Sequence, residues 1–291
     1  MCTAVACRNS DSRRARRAIH MRFSRYPGHV PTSLPGRALI AADAALRAIT
    51  DPRDARMVGV VGEATGSGAL RRMHERMARH PVGRVVLQDQ PTVSAATVEG
   101  LLRMPAGSLG QAYAAFLGAH AFNPDERSAV QFVDDADLAY VMTRYRQVHD
   151  LWHVLYGLPP SLLGEVALKW IEATQTGLPM CYMAAVAGGL RLKPTERAMV
   201  TRHVLPWAAR HALSTTDLMS VYYERELERP LSELRAKLGV ERPPACLRGT
   251  NGGDDDDASW ELSSPPAAGS PPPRAAAPAA SATRADGAAA G

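Results

Sequence analysis

Between Asp135 and Thr176 the sequence leaves little room for anything but two helices joined by a proline turn. Asp135 to Tyr156 is the longest helical run in the chain. It is followed by Gly157-Leu158-Pro159-Pro160, where a glycine suits a left-handed helix cap and proline opens the next element better than it continues the last. A second helical run, Pro160 to Thr176, comes directly after. A turn this short lets the second helix fold back, so that side chains distant in sequence can meet.

The same punctuation recurs along the chain. Pro35 to Ile49 carries apolar residues at helical spacing and stops at Asp51-Pro52, and Ser67 to His80 is a charged helix ending at Pro81. Ser108 is a plausible N-cap for a helix running to Phe122, where Asn123-Pro124 stops it. Later helices are expected from Pro194 to Leu213, bent at Pro206, and from Asp217 to Glu228. Strand-like runs such as Val85-Val86-Leu87 are short. The apolar, small-residue stretch from Met180 to Leu190 suits tight helix packing, or a surface for a lipid chain or membrane. The expected fold is all-α: one helical domain over 26–248, a disordered leader over 1–25 and a disordered tail over 249–291.

Charge is concentrated at one end. Residues 1–26 hold seven arginines and one acid, a net of +6 against +5 for the whole chain, so the remainder is close to neutral. An Arg-rich, acid-poor start without a long apolar core is the composition of a mitochondrial transit peptide. Without a basic binding face, a nucleic-acid partner is not expected. Cys2, Cys7, Cys181 and Cys246 are scattered and form no Cys-x-x-Cys, which points neither to a disulfide framework nor to a thiolate metal site. No apolar run approaches 18 residues, so no membrane span is expected. The Asp254–Asp257 acid run and Pro271-Pro272-Pro273 lie in the tail.

Chemistry is suggested by His149-Asp150-Leu151-Trp152-His153, with Glu165 twelve residues further on. His149 and His153 are four apart and share a helix face, Asp150 flanks that stripe, and Glu165 lies on the returning helix. Two imidazoles with one or two carboxylates could converge on a cation, Zn2+ or equally Fe2+. The same residues also fit a plain helix with structural histidines and Asp150 paired to an arginine. Arg146, four before Asp150, could orient it. Lys169, four after Glu165, could hold a substrate carboxylate or simply pair with that glutamate. Glu172 is a reserve ligand or a solvated carboxylate. A zinc-protease reading is disfavoured because Asp150 stands where the general-base glutamate would follow the first histidine.

Three stretches closely resemble coenzyme Q (ubiquinone) biosynthesis protein four, a mitochondrial family of the polyprenyl-quinone pathway. They are Tyr26-Pro27-Gly28-His29-Val30-Pro31-Thr32-Ser33, the block Met57 to Gly66, and the run from Arg144 through the His-Asp-x-x-His motif to Trp170. The resemblance covers roughly Tyr26 to Val240. It implies an all-α protein peripheral to the matrix side of the mitochondrial inner membrane, in a complex with other coenzyme Q biosynthesis enzymes; a homo-oligomer is compatible with it. It implies zinc held by His149, Asp150, His153 and Glu165. The activity it implies is C1-decarboxylation of a polyprenylated aromatic lipid, 4-hydroxy-3-methoxy-5-polyprenylbenzoate, to 2-methoxy-6-polyprenylphenol or its oxidised equivalent. Lys169 and Arg146 are the expected assisting residues. Replacing the carboxylate by hydroxyl consumes an oxidant; Zn2+ has no redox chemistry, so that version needs Fe2+ or an external oxidant. The alternative is a non-catalytic, lipid-binding scaffold that organises the complex.

Overall fold

The computed structural model describes residues 25–51 and 55–247. The expected tail, and all of the expected leader but Arg25, lie outside the described residues. Within them the chain forms α1 Leu34–Thr50, α2 Ala55–Thr65, α3 Ser67–Arg79, α4 Pro81–Asp89, α5 Ala95–Val98 and α6 Leu109–His120. It continues with α7 Ala136–Tyr156, α8 Leu162–Thr176, α9 Pro179–Arg191, α10 Pro194–Met199, α11 Leu205–Ser214 and α12 Leu231–Leu238. No strand occurs among the described residues, and one isolated bridge joins Ser108 to Pro230. The fold is all-α.

Side-chain caps set the helix starts. Ser33, Ser108 and Ser161 each accept a backbone N–H from the first turn of α1, α6 and α8, and Asp135 accepts those of Asp137 and Leu138 at the start of α7. Gly157 closes α7 at φ 64° and Gly177 closes α8 at φ 67°, a left-handed conformation that glycine adopts without a Cβ penalty.

Three local readings change. Val85-Val86-Leu87 lies inside α4, where Pro81 in the first turn and the His80 cap make a helix of a short apolar run. Pro206 has no N–H to give to the preceding turn, and the backbone widens into a π-helical turn at Val200–Val204 just before it. The segment Asp217–Glu228 is not a helix but two 3-10 turns, Leu218–Ser220 and Tyr223–Arg225. Tertiary bonds outweigh propensity there: the buried Arg144 guanidinium donates to Glu224 at 2.5 and 2.9 Å, and Trp152 Nε1 donates to the Tyr223 hydroxyl at 3.0 Å.

α7 runs through the core, with Tyr145, Trp152, Leu155 and Tyr156 all buried. Its C-terminal carbonyls at Val154 and Leu155 receive the Arg235 guanidinium of α12 at 3.0 and 2.7 Å, placing a cation where the helix dipole favours one. Side-chain pairing shows that α8 runs back along α7: Glu165 meets His153 and Glu172 meets His149.

Candidate metal centre

The i,i+4 spacing sets the His149 and His153 rings 4.8 Å apart between centroids and nearly perpendicular. Phe116 of α6 stacks on His153 at 5.4 Å and fixes its plane. Glu165, in the first turn of α8, reaches both: its carboxylate oxygens lie 3.1 Å from His153 Nε2 and 3.8 Å from His149 Nε2. One donor atom from each of His149, His153 and Glu165 lies within 4.8 Å of the others. The His153 side chain is only 1 % exposed, whereas His149 and Glu165 are 21 % and 34 % exposed, so the cluster opens outward on their side.

The outer nitrogens are set by what holds the inner ones. His153 Nδ1 lies 2.9 Å from the Leu158 carbonyl oxygen, which can only accept, so Nδ1 carries the proton. His149 Nδ1 lies 2.5 Å from the Glu172 carboxylate. Glu172 is fully buried, yet it is held well below the usual carboxylate range: burial pushes it up, and Lys169 and His149 more than offset that. It is therefore an ionised acceptor, and His149 Nδ1 donates to it. In both rings Nε2 is left with its lone pair directed at a carboxylate. Three acceptors facing one another repel unless a cation, a metal ion or a proton, sits among them.

The electrostatics agree. Burial and Lys169 lower His149, but Glu172 and Glu165 outweigh them and the net shift is upward, towards a positive charge at this spot. Burial raises Glu165, while a proton on His153 Nε2 donated to its carboxylate, the positive charge on the two imidazoles and Lys169 bring it down to about 2, so without a metal ion a proton takes the cation's place. Two neutral nitrogens and one carboxylate form a donor set suited to Zn2+ or Fe2+. Donors around such an ion stand roughly 3.3–3.6 Å apart, so a cluster whose atoms all lie within 4.8 Å of one another is brought to that spacing by side-chain adjustment.

The other expected site residues are placed differently. Asp150 is outside the cluster: its carboxylate forms an ion pair with Arg127, in a contact sheltered from solvent. One residue beyond His149 turns the side chain by about 100° around the helix, away from the shared stripe. Arg146 does not orient Asp150. It pairs with Glu63 of α2 at 2.6 Å and donates to the Ser128 carbonyl at 3.1 Å, while the other Glu63 oxygen accepts the Gln131 and Phe132 N–H groups. Lys169 does not pair primarily with Glu165. Its ammonium donates to Glu172 at 2.6 Å and stands 3.4 Å from His149 Nδ1, behind that ring rather than on the Nε2 side. Glu172 is no solvated carboxylate: it also accepts the Tyr145 hydroxyl at 2.6 Å, and the Cys181 thiol, pushed by burial to about 12, lies 3.7 Å away. Its position seven residues after Glu165, on nearly the same helix face, was the signal for this role.

Fold and donor set together define an all-helical protein with a His/His/Glu cluster able to hold a metal ion. Residues 26–244 match the family described as Coenzyme Q (ubiquinone) biosynthesis protein Coq4. The mitochondrial ubiquinone biosynthesis protein COQ4 homologue of Bos taurus is 43 % identical over 226 residues, covering 77 % of this chain and 85 % of that protein. The Homo sapiens homologue is 41 % identical over the same shares. The chain belongs to this family, and the resemblance read from the motif is borne out. A solved Nostoc punctiforme structure, described as a candidate ubiquinone biosynthesis protein, aligns with a TM-score of 0.55 at 20 % identity, covering 69 % of this chain and 97 % of that one; it supports the fold alone.

Proposed function

We propose that this chain serves ubiquinone biosynthesis in mitochondria as a metal-dependent C1-decarboxylase of 4-hydroxy-3-methoxy-5-polyprenylbenzoate. The observation that carries this reading is the paired orientation of His149 and His153. Both turn a bare Nε2 towards Glu165 because Glu172 and the Leu158 carbonyl hold their Nδ1 protons. A metal ion bound there supplies a positive charge that can orient a carboxylate or an activated oxygen and stabilise charge developing on the ring.

The rest is the work of the chain itself. His149, His153 and Glu165 provide the donors; Glu172, held by Lys169 and Tyr145, keeps His149 in one tautomer and orientation. Phe116 and the buried wall around His153 exclude water from one side, leaving the substrate to approach past Glu165. In the plain reaction the ring–carboxylate bond breaks, carbon dioxide leaves, and a proton takes its place on the ring carbon, with the para phenol feeding electrons into the ring. Replacement by hydroxyl needs an oxidant such as dioxygen and favours iron over zinc.

The relatives' names include "mitochondrial". The arginine-rich start of this chain matches such targeting, and no helix among the described residues is long and apolar enough to cross a membrane. Peripheral placement on the matrix side of the inner membrane, within a complex of the pathway's enzymes, follows from the same reading. The test is product analysis by mass spectrometry with purified protein and a short-chain prenylated substrate, with the bound metal measured alongside. Loss of the ring carboxylate supports the lyase. A loaded protein that leaves the substrate intact overturns it and favours the scaffold.

A further inference from the structure

We infer that the outer faces of α1 and α9 together form a docking surface for an anionic lipid bilayer, and that this surface leads to the open side of the His149/His153/Glu165 cluster. The outward face of a surface helix is normally polar. Here Leu39, Leu46 and Ile49 stand out from α1, and Tyr182, Met183, Val186 and Leu190 from α9, with Leu39 73 % and Leu190 70 % exposed. Their core-facing positions are already filled, by Ala44 on α1 and by Met180, Cys181 and Ala185 on α9. α9 carries no charged residue before Arg191. Seven large apolar side chains exposed on two helices mark an interaction site.

The two faces adjoin. Both helices pack on α2, and the Arg191 guanidinium donates to the Ile49 carbonyl, so exposed Ile49 and Leu190 stand within one arginine's reach. The charges at that end select the occupant. Arg191, Lys193 and Arg197 follow Leu190 closely, while the nearby acids are engaged: Glu196 accepts the Lys193 N–H at 2.8 Å, and Asp43 pairs with Arg47 at 2.9 Å. Large apolar side chains bordered by cations match acyl chains bordered by anionic headgroups.

The surface continues to the metal cluster. A Cβ placed at Gly188 would lie 2.7 Å from Val166 Cγ2 and 3.8 Å from Leu162 Cδ1, so α9 crosses the start of α8 at close contact. Leu162 is itself exposed and lies three residues before Glu165 on one helix face. A prenylated aromatic ring could therefore reach Glu165 with its tail still among lipid. That last step rests on the decarboxylase reading; the docking does not.

The test is co-sedimentation of the full chain with phosphatidylcholine vesicles with and without phosphatidylglycerol, alongside melting and oligomeric state. The double variant Val186→Glu/Leu190→Glu should lose about tenfold or more in vesicle partitioning at unchanged melting, and Leu39→Glu should act likewise if the double variant fails to fold. Lys193→Glu/Arg197→Glu should lose binding only to the anionic vesicles. Leu102→Glu, at an exposed leucine outside both helices, should bind as the unaltered protein does. Undiminished binding by the α1 and α9 variants overturns the inference, as does conversion of a dimer to monomers with vesicle binding intact. Vesicle binding is read without turnover, so its failure is distinct from failure of the decarboxylase.

Discussion

His149 is held on both sides: Glu165 lies towards Nε2, and Glu172 accepts the hydrogen bond from Nδ1. Replacing Glu172 with Gln removes the ionised acceptor and the partner of Lys169. Metal affinity should fall roughly 10- to 100-fold, measured by competition with a chromophoric chelator, because carboxylates behind metal-bound histidines contribute on that scale. Asp150→Asn should leave that affinity unchanged while lowering stability by roughly 1–3 kcal/mol in denaturant melts, since it uncouples the sheltered Arg127. A loss of metal in Asp150→Asn would place that carboxylate among the ligands after all. His149, His153 and Glu165 were legible because helical spacing and a proline turn leave few ways to arrange them. The partners of Asp150 and Glu172 were not: Arg127 lies 23 residues before Asp150 on a loop, and spacing along one helix does not say which helix packs opposite it.

Among elements, the turn between α7 and α8 decides whether the cluster assembles. Gly164 is there because no side chain fits: a Cβ would lie 2.0 Å from the Pro159 carbonyl oxygen, which is backbone and cannot swing aside. Gly164→Ala should force that turn away from α8, cost roughly 1–3 kcal/mol, and displace the neighbouring Glu165, seen as a lower melting temperature together with weakened metal binding. Normal metal binding at reduced stability would separate the turn from the site. This turn was readable from Gly157 and the proline pair. The segment Asp217–Glu228 was not, because the buried Arg144 and Trp152 of α7 claim its backbone and side chains, and those contacts span more than 70 residues. The π-helical turn before Pro206 was readable as a bend but not as a change of helix type.

Over the whole molecule, acid sensitivity should come in part from a histidine outside the metal cluster. His211 on α11 is buried, and its Nε2 lies 2.7 Å from both the Tyr156 and Thr215 hydroxyls. Burial holds it below the ordinary 6.5, against a smaller upward pull from Glu241. The unfolded chain therefore takes up this proton first as pH falls. The stability His211 contributes is complete above about 6.5 and drains away below it, towards its lower folded value. Thermal melts of His211→Gln should fall less steeply below pH 6.5 than those of the unaltered chain; parallel curves would remove His211 from the account.

The helical fold was legible in the alternation of apolar stripes with Ser, Gly and Pro stops. The sequence left the Met180–Leu190 stretch of α9 open between tight packing and a lipid-facing surface, because period shows which residues share a face and not what covers it. Whether the proposed decarboxylation depends on a metal ion at His149, His153 and Glu165 is read by following turnover of 4-hydroxy-3-methoxy-5-prenylbenzoate by mass spectrometry before and after metal removal. Loss of carbon dioxide should stop in the stripped protein and return on reloading with zinc or iron. Turnover that persists in metal-free, folded protein would contradict that dependence.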